Sequence, residues 1–329
     1  MASILLTHPP DALKNYYGDR ALAGLKALGD VRLNALAREL DARELIEAAR
    51  GCQLIVSYRG TPGFAELFDN APDLVAFSRC AIDIRNVDVG AASRNGILVT
   101  QASAGFIPSV SEWVIGAMVD LGRRLSESTA TYHAGRVPAA EMGVQLDGAT
   151  VGVIGYGQIA RRLCELCLAH RMHVLVSDPH AKAPGPLISQ VDLATLLAQS
   201  DFVVCLAIAS ESTENLMNAK AFGLMKPNAF FINAARGNLV DEAALVDALD
   251  GGLIAGCAMD VGRAPDQMPT PSIAGHPKVI ATPHVAGLTP QAIEHQSMET
   301  VAQAAQILRG RAPQGSVNPT QASRLTRLG

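Results

Sequence analysis

A chain of 329 residues has room for two domains of ordinary size, and its 49% hydrophobic against 18% charged content excludes a disordered protein. The net charge of −4 leaves no basic footprint for nucleic acid or for an anionic membrane surface. No apolar run approaches the ~20 residues of a membrane span, and the six cysteines form neither a disulfide framework nor a zinc site.

The chain opens by alternating strand and helix. Ser3–Thr7 reads as a first strand rather than a leader, which together with reduced thiols points to the cytoplasm. A helix is predicted over Leu13–Leu28, stopped by Gly29, and Val31–Leu33 follows as a short strand. Ala42–Ala49 is a helix with Asp41 as its cap. Gln53–Ser57 is a strand, and Tyr58 to Pro62 forms its exit loop. Strand Leu74–Ser78, helix Asp88–Arg94 and strand Ile97–Thr100 complete a parallel α/β unit. A longer helix, Ser109–Arg124, is capped by Ser109 or Ser111. It repeats Val110, Val114, Ala117, Met118 and Leu121 at helical spacing, a stripe that suits a core or a subunit contact.

Residues 151–178 carry the clearest signal. Val151, Val153 and Ile154 are the apolar, β-branched content of a buried parallel strand. Gly155 permits a tight turn. Gly157 lets a pyrophosphate approach the main chain where a helix begins, at Gln158 and Ile159, and Ala160 keeps that helix close to the strand. His173–Ser177 is the next strand, and Asp178 ends it, 178 − 155 = 23 residues beyond the first glycine. That is near the ~20 expected for an acid that holds the adenosine ribose. Such an acid repels a ribose phosphate, so the cofactor is expected to be NAD. Cys164 and Cys167 lie inside the helix rather than at its start, and are expected to be packing residues.

Strands recur at Phe202–Ala207, Ala229–Ala234, Ile254–Ala258 and Val279–Thr282, with helices Leu193–Gln199 and Asp241–Leu249 between them. Gly262–Pro277 reads as a loop. Thr289 caps and Pro290 opens a final helix ending at Gly310. That helix has no sheet of its own to cover, so it is expected to return to the first unit. The layout is a Rossmann-type, doubly wound cofactor domain, 102–289, inserted into a flavodoxin-like α/β substrate domain, 1–101 plus 290–329. The cleft between them is the expected active site.

Ligands of open parallel sheets gather at the carboxyl ends of strands. Asp178, Arg236, Asp260 and His284 occupy such ends, as do the loops from Ser57 to Thr61 and from Arg79 to Ala81. An arginine grips a carboxylate bidentately, and a histidine exchanges a proton with a carbonyl oxygen as hydride moves. The bland alternatives are an arginine satisfying main-chain carbonyls and a histidine bonded in the core. Arg59 and Arg79 are candidates for a second anionic group on the substrate, or plain surface charges. No metal site is expected.

Five segments together resemble the D-isomer-specific 2-hydroxy acid dehydrogenases over nearly the whole chain. They are Leu146-Asp-Gly-Ala-Thr-Val-Gly-Val-Ile-Gly-Tyr-Gly-Gln-Ile-Ala160, Met225-Lys-Pro-Asn-Ala, Asn233-Ala-Ala-Arg-Gly-Asn-Leu-Val-Asp241, Ala258-Met-Asp-Val261 and Thr282-Pro-His-Val-Ala-Gly287. The resemblance implies that Arg236 holds the substrate carboxylate and that His284 is the acid/base. It implies that Asp260 meets the nicotinamide carboxamide, that Ala207, Ala234 and Gly287 line the cofactor, and that Arg79-Cys80-Ala81 offers N–H groups to the carboxylate. A homodimer with Ser109–Arg124 near the contact is implied too. The expected activity is NAD-dependent interconversion of small D-2-hydroxy acids and 2-keto acids. The rival reading is an NAD(H)-binding sensor with little turnover.

The departures lie near the nicotinamide end. Where the family has Asp-Val-Phe-x-x-Glu-Pro, this chain has Asp260-Val-Gly-Arg-Ala-Pro-Asp266. Pro265 stands in place of the glutamate that orients the histidine, and Asp266 is the nearest acid that could replace it. Leu206-Ala-Ile-Ala-Ser departs from the usual histidine and proline, and Cys80-Ala81 from the usual glycine-rich pair.

Overall fold

A computed structural model describes residues 2–183 and 185–328. They form two compact units. One runs to Phe106 and resumes at Pro290, and the other is Ile107–Thr289.

The first unit holds five parallel strands: β1 (Ser3–Leu6), β2 (Asp30–Leu33), β3 (Leu54–Ser57), β4 (Ala76–Arg79) and β5 (Leu98–Gln101), in the order β2-β1-β3-β4-β5. Ile4 to Leu6 and Leu54 to Val56 are buried without a gap, because helices cover both faces of the sheet. The single helix expected over Leu13–Leu28 is two, Pro10–Tyr16 and Asp19–Leu28. Gly18, at φ +84°, ends the first with its N–H on the Leu13 carbonyl. The break turns Tyr17 inward, where its hydroxyl meets Thr300 Oγ1 at 2.9 Å. A short helix, Ala65–Asp69, was not anticipated. The final helix, Pro290–Ile307, belongs to this unit. There Gln303, buried, accepts hydrogen bonds from the Ser78 and Thr100 hydroxyls.

The second unit holds seven parallel strands: β6 (Thr150–Ile154), β7 (His173–Ser177), β8 (Ile188–Gln190), β9 (Phe202–Cys205), β10 (Phe230–Asn233), β11 (Gly256–Met259) and β12 (Val279–Ala281). Their order is β12-β11-β10-β9-β6-β7-β8. Chain order reverses between β6 and β9, which is the switch point of a doubly wound sheet. The long helix is Ile107–Arg123, and its stripe of Val114, Ala117, Met118 and Leu121 packs against Val151, Val153 and Phe202. Neither expected cap acts as one: Ser109 Oγ meets Thr289 Oγ1 at 2.7 Å, and Ser111 Oγ donates to the Ile107 carbonyl. Helices Leu125–His133 and Ala219–Gly223 and strand β8 were also unanticipated. The expected loop from Gly262 to Pro277 contains a single turn, Pro265–Gln267, and a short helix, Pro271–Ala274. Each begins on a proline, whose fixed φ and missing N–H suit a first helical position.

Candidate active site

Register aligns the site. Across the second sheet, Ser177, Ile154, Cys205, Asn233, Met259 and Ala281 are successive Cα partners. One residue further along each strand stand Asp178, Gly155, Leu206, Ala234, Asp260 and Thr282. At about 4.8 Å per strand, the row from Asp178 to Asp260 covers roughly 19 Å, a length that suits an extended dinucleotide.

At the switch point Gly155 has φ +91°, and a Cβ there would sit 2.7 Å from the Leu206 carbonyl oxygen, so only glycine fits. Gly157 is different: a Cβ would meet nothing within 4 Å. The main chain therefore borders open space just before the helix Gln158–Ala169, which has no side-chain cap. Its first N–H groups, those of Gln158 and Ile159 among them, suit a pyrophosphate. Asp178 accepts N–H bonds from Tyr156 (2.7 Å), His180 (2.7 Å) and Ala181 (2.8 Å). Burial pushes its pKa up, but the three N–H groups outweigh that and hold the carboxyl below its ordinary value. It thus braces the glycine turn as a carboxylate, with one lone-pair site left on Oδ2 for a ribose hydroxyl. Ala207 follows β9 and Ala234 follows β10, and both are half-buried. These residues fit a bound NAD.

Arg236 follows β10 in a turn built by Asn233, which sequence reasoning missed. Asn233 is fully buried; its side chain donates to the Arg236 carbonyl at 3.0 Å and accepts from the Ala235 N–H at 3.1 Å. A polar residue at the end of an apolar strand was its signal. Gly237 then lies against Gly262, whose carbonyl carbon would be 2.1 Å from any Cβ, so the arginine turn and the 262–268 loop touch main chain to main chain. Arg236 is half-buried, and its guanidinium donates to the Ala235 carbonyl at 2.7 Å.

His284 sits on a turn that Asp260 builds. The buried Asp260 carboxylate accepts from Thr282 Oγ1 (2.6 Å) and from the N–H groups of Val285 (2.8 Å) and Ala286 (2.9 Å). The His284 N–H donates to the Asp260 carbonyl, and the residue itself lies at φ +55°. Asp260 thus has a structural duty in addition to any contact with the cofactor. Gly287 follows on the same turn, half-buried. The group of Asp266 that meets the His284 ring is its main-chain carbonyl, 2.8 Å from Nδ1.

In the first unit the strand ends behave otherwise. Arg79 is 3% exposed and donates to the carbonyls of Tyr58 (2.7 Å), Thr61 (2.9 Å), Asp83 (3.1 Å) and Arg59. Burial lowers its pKa to about 10. Arg79 is therefore not the plain surface charge of the alternative reading: it is buried, and its guanidinium ties loops together. Cys80 is also committed, since its N–H donates to the Ser57 carbonyl and its buried thiol is pushed up to about 12. Among the described residues the Ala81 N–H meets no acceptor. Arg59 is exposed and stacks over the Tyr16 ring at 5.3 Å. Cys164 and Cys167 are fully buried, and burial raises both to about 12, as packing residues would show. No cluster among the described residues could hold a metal ion.

Comparison with known proteins follows the same lines. Residues 115–286 match the model of the D-isomer specific 2-hydroxyacid dehydrogenase NAD-binding domain. The chain is 33% identical over 294 residues to an (S)-sulfolactate dehydrogenase of Chromohalobacter salexigens, covering 88% of this chain and 95% of that one. It is 32% identical over 275 residues to a D-3-phosphoglycerate dehydrogenase of Archaeoglobus fulgidus, covering 81% of this chain but only about half, 52%, of that longer protein. A solved D-2-hydroxyisocaproate dehydrogenase shares the fold, with a TM-score of 0.85 at 24% identity over 97% of this chain and 100% of that one.

Proposed function

The chain belongs to the D-isomer specific 2-hydroxyacid dehydrogenases, and from that premise we propose how its own residues interconvert 2-hydroxy and 2-keto acids with NAD. When bound, the dinucleotide supplies or accepts the hydride. Asp178 holds the adenosine ribose, the main chain at Gly157 to Ile159 holds the pyrophosphate, and Ala207, Ala234, Asp260 and Gly287 border the nicotinamide half. Arg236 holds the substrate carboxylate and orients the carbon that changes oxidation state. His284 donates a proton from Nε2 to the carbonyl oxygen during reduction, and removes it from the hydroxyl during oxidation.

The observation that carries this reading is the shared row: a glycine turn, an arginine turn and a histidine turn on one in-register sheet edge. The sensor reading is not favoured, because the relatives are named as dehydrogenases and a sensor has no need of Arg236 or His284. The substrate is a small 2-keto acid, and the resemblance to a sulfolactate dehydrogenase makes an acid with a second anionic group the first to try. Purified protein should oxidise NADH with at least one member of a keto-acid panel that includes sulfopyruvate, hydroxypyruvate and pyruvate. Tight NADH binding without turnover on the whole panel would restore the sensor.

The working form is a cytoplasmic homodimer. The apolar stripe of helix Ile107–Arg123 is buried in its own unit, but the segment after it exposes Leu125 (52%), Tyr132 (61%), Val137 (82%) and Met142 (101%). Such a run of exposed apolar side chains suits a subunit contact. Sedimentation should give twice the chain mass, and Tyr132→Glu with Val137→Glu should halve it. No described helix is long and apolar enough to cross a membrane.

A further inference from the structure

We propose that the group orienting the acid/base histidine in this chain is the main-chain carbonyl of Asp266, so that Asp266 acts as a positioning residue through its backbone conformation rather than its carboxylate. This rests on the role given to His284 above. The carbonyl oxygen lies 2.8 Å from Nδ1. It is aimed there by an uncommon backbone: Asp266 (φ +57°) and Gln267 (φ +58°) are successive left-handed residues. The loop is closed behind them, with the Gly262 N–H on the Gln267 carbonyl (2.8 Å) and the Ala264 N–H on the Met268 carbonyl (3.0 Å). Pro265 has no N–H to compete for these acceptors and a fixed φ that leads into the turn.

A carbonyl accepts only from a protonated Nδ1. It therefore leaves Nε2 as the nitrogen that exchanges the proton, the same tautomer a carboxylate would select. What it lacks is a full negative charge. The charged groups on the segments bonded to His284 are Asp260, Arg263 and Asp266; Asp260 already accepts from Thr282, Val285 and Ala286, and Arg263 pairs with Glu214 at 2.8 Å. Pro265 in place of a glutamate is then compensated in geometry by the neighbouring carbonyl.

Side-chain and backbone roles separate by substitution at one position. Asparagine and glycine adopt positive φ readily, whereas a β-branched residue is strained there. Asp266→Asn and Asp266→Gly should keep kcat/KM within about threefold. Their pH midpoint for keto-acid reduction should stay within about 0.3 of the parent, since losing a directly paired charge moves a pKa by about 1–3 units. Asp266→Val should lower kcat about tenfold with NADH affinity unchanged, the scale of a misplaced backbone. Nitrogen NMR of His284 should show the Nδ1–H tautomer in the parent, Asn and Gly proteins and a mixture in Val. A midpoint lowered by a full unit in Asp266→Asn would assign the role to the carboxylate and overturn the proposal. Full activity and a single tautomer in Asp266→Val would do so too. If the parent reduces no keto acid, the activity reading fails, and the tautomer series alone decides the role of Asp266.

Discussion

At the carboxyl edge of the first sheet, Arg79 gives its guanidinium to four main-chain carbonyls, and His8 lies buried beside the rings of Tyr17 and Tyr58. At the same edge of the second sheet, helix N–H groups border open space at Gly157, and Asn233 and Asp260 build turns beneath Arg236 and His284. Both are parallel sheets, and both place polar residues just past their strands. In one, the conspicuous charge holds loops. In the other, the inconspicuous Asn233 and Asp260 build the turns on which Arg236 and His284 stand. Position at a strand end marks where a site can be, and a conspicuous charge there can equally brace the loops around it.

The two arginines test that contrast most strongly. Arg236→Ala should lower kcat/KM about a hundredfold with melting temperature nearly unchanged, because the loss falls on substrate. Arg79→Ala should cost about 3 kcal/mol of stability by leaving buried carbonyls without donors. Urea unfolding and steady-state kinetics on both variants check this, and a catalytic but stable Arg79→Ala would break the comparison.

The two glycines sharpen it within the second sheet. Gly157→Ala puts a methyl where nothing stands, so stability should hold while NADH affinity drops about tenfold. Gly155→Ala meets the Leu206 carbonyl at positive φ and should destabilise the unit itself. Fluorescence titration and thermal melts separate the two.

A pH-dependent effect belongs to His8. Burial, and then the charge of Arg79, lower its pKa to about 3. The unfolded chain therefore takes the proton first, and stability should fall as pH drops below about 6.5, by at most ~1.4 kcal/mol per pH unit. The loss continues until the folded value near 3 is reached. His8→Phe should flatten that part of the stability–pH curve; an unchanged slope would mean the ring is not buried neutral.

The cofactor half was legible because strands covered on both faces must be apolar throughout, and because the switch-point turn tolerates only glycine at 155. Arg236 and His284 were legible as residue types that a keto acid needs. The inward turn of Arg79 was not, since a binding arginine and a bracing arginine occupy the same place after a strand. Nor was the Asp266 carbonyl, because every residue but the turn geometry offers one. The break at Gly18 had a mark in Gly18-Asp19, a stop followed by an acidic start, which helical periodicity across Leu13–Leu28 concealed.

In the proposed mechanism His284 moves the proton while the glycine-turn edge holds the cofactor without it. Enzyme loaded with NADH and mixed rapidly with the best keto acid of the panel measures this in one turnover. His284→Ala should bind NADH as the parent does and lose NADH absorbance about a thousandfold more slowly, within the usual range for a general acid. A single-turnover rate equal to the parent's would take histidine out of the mechanism.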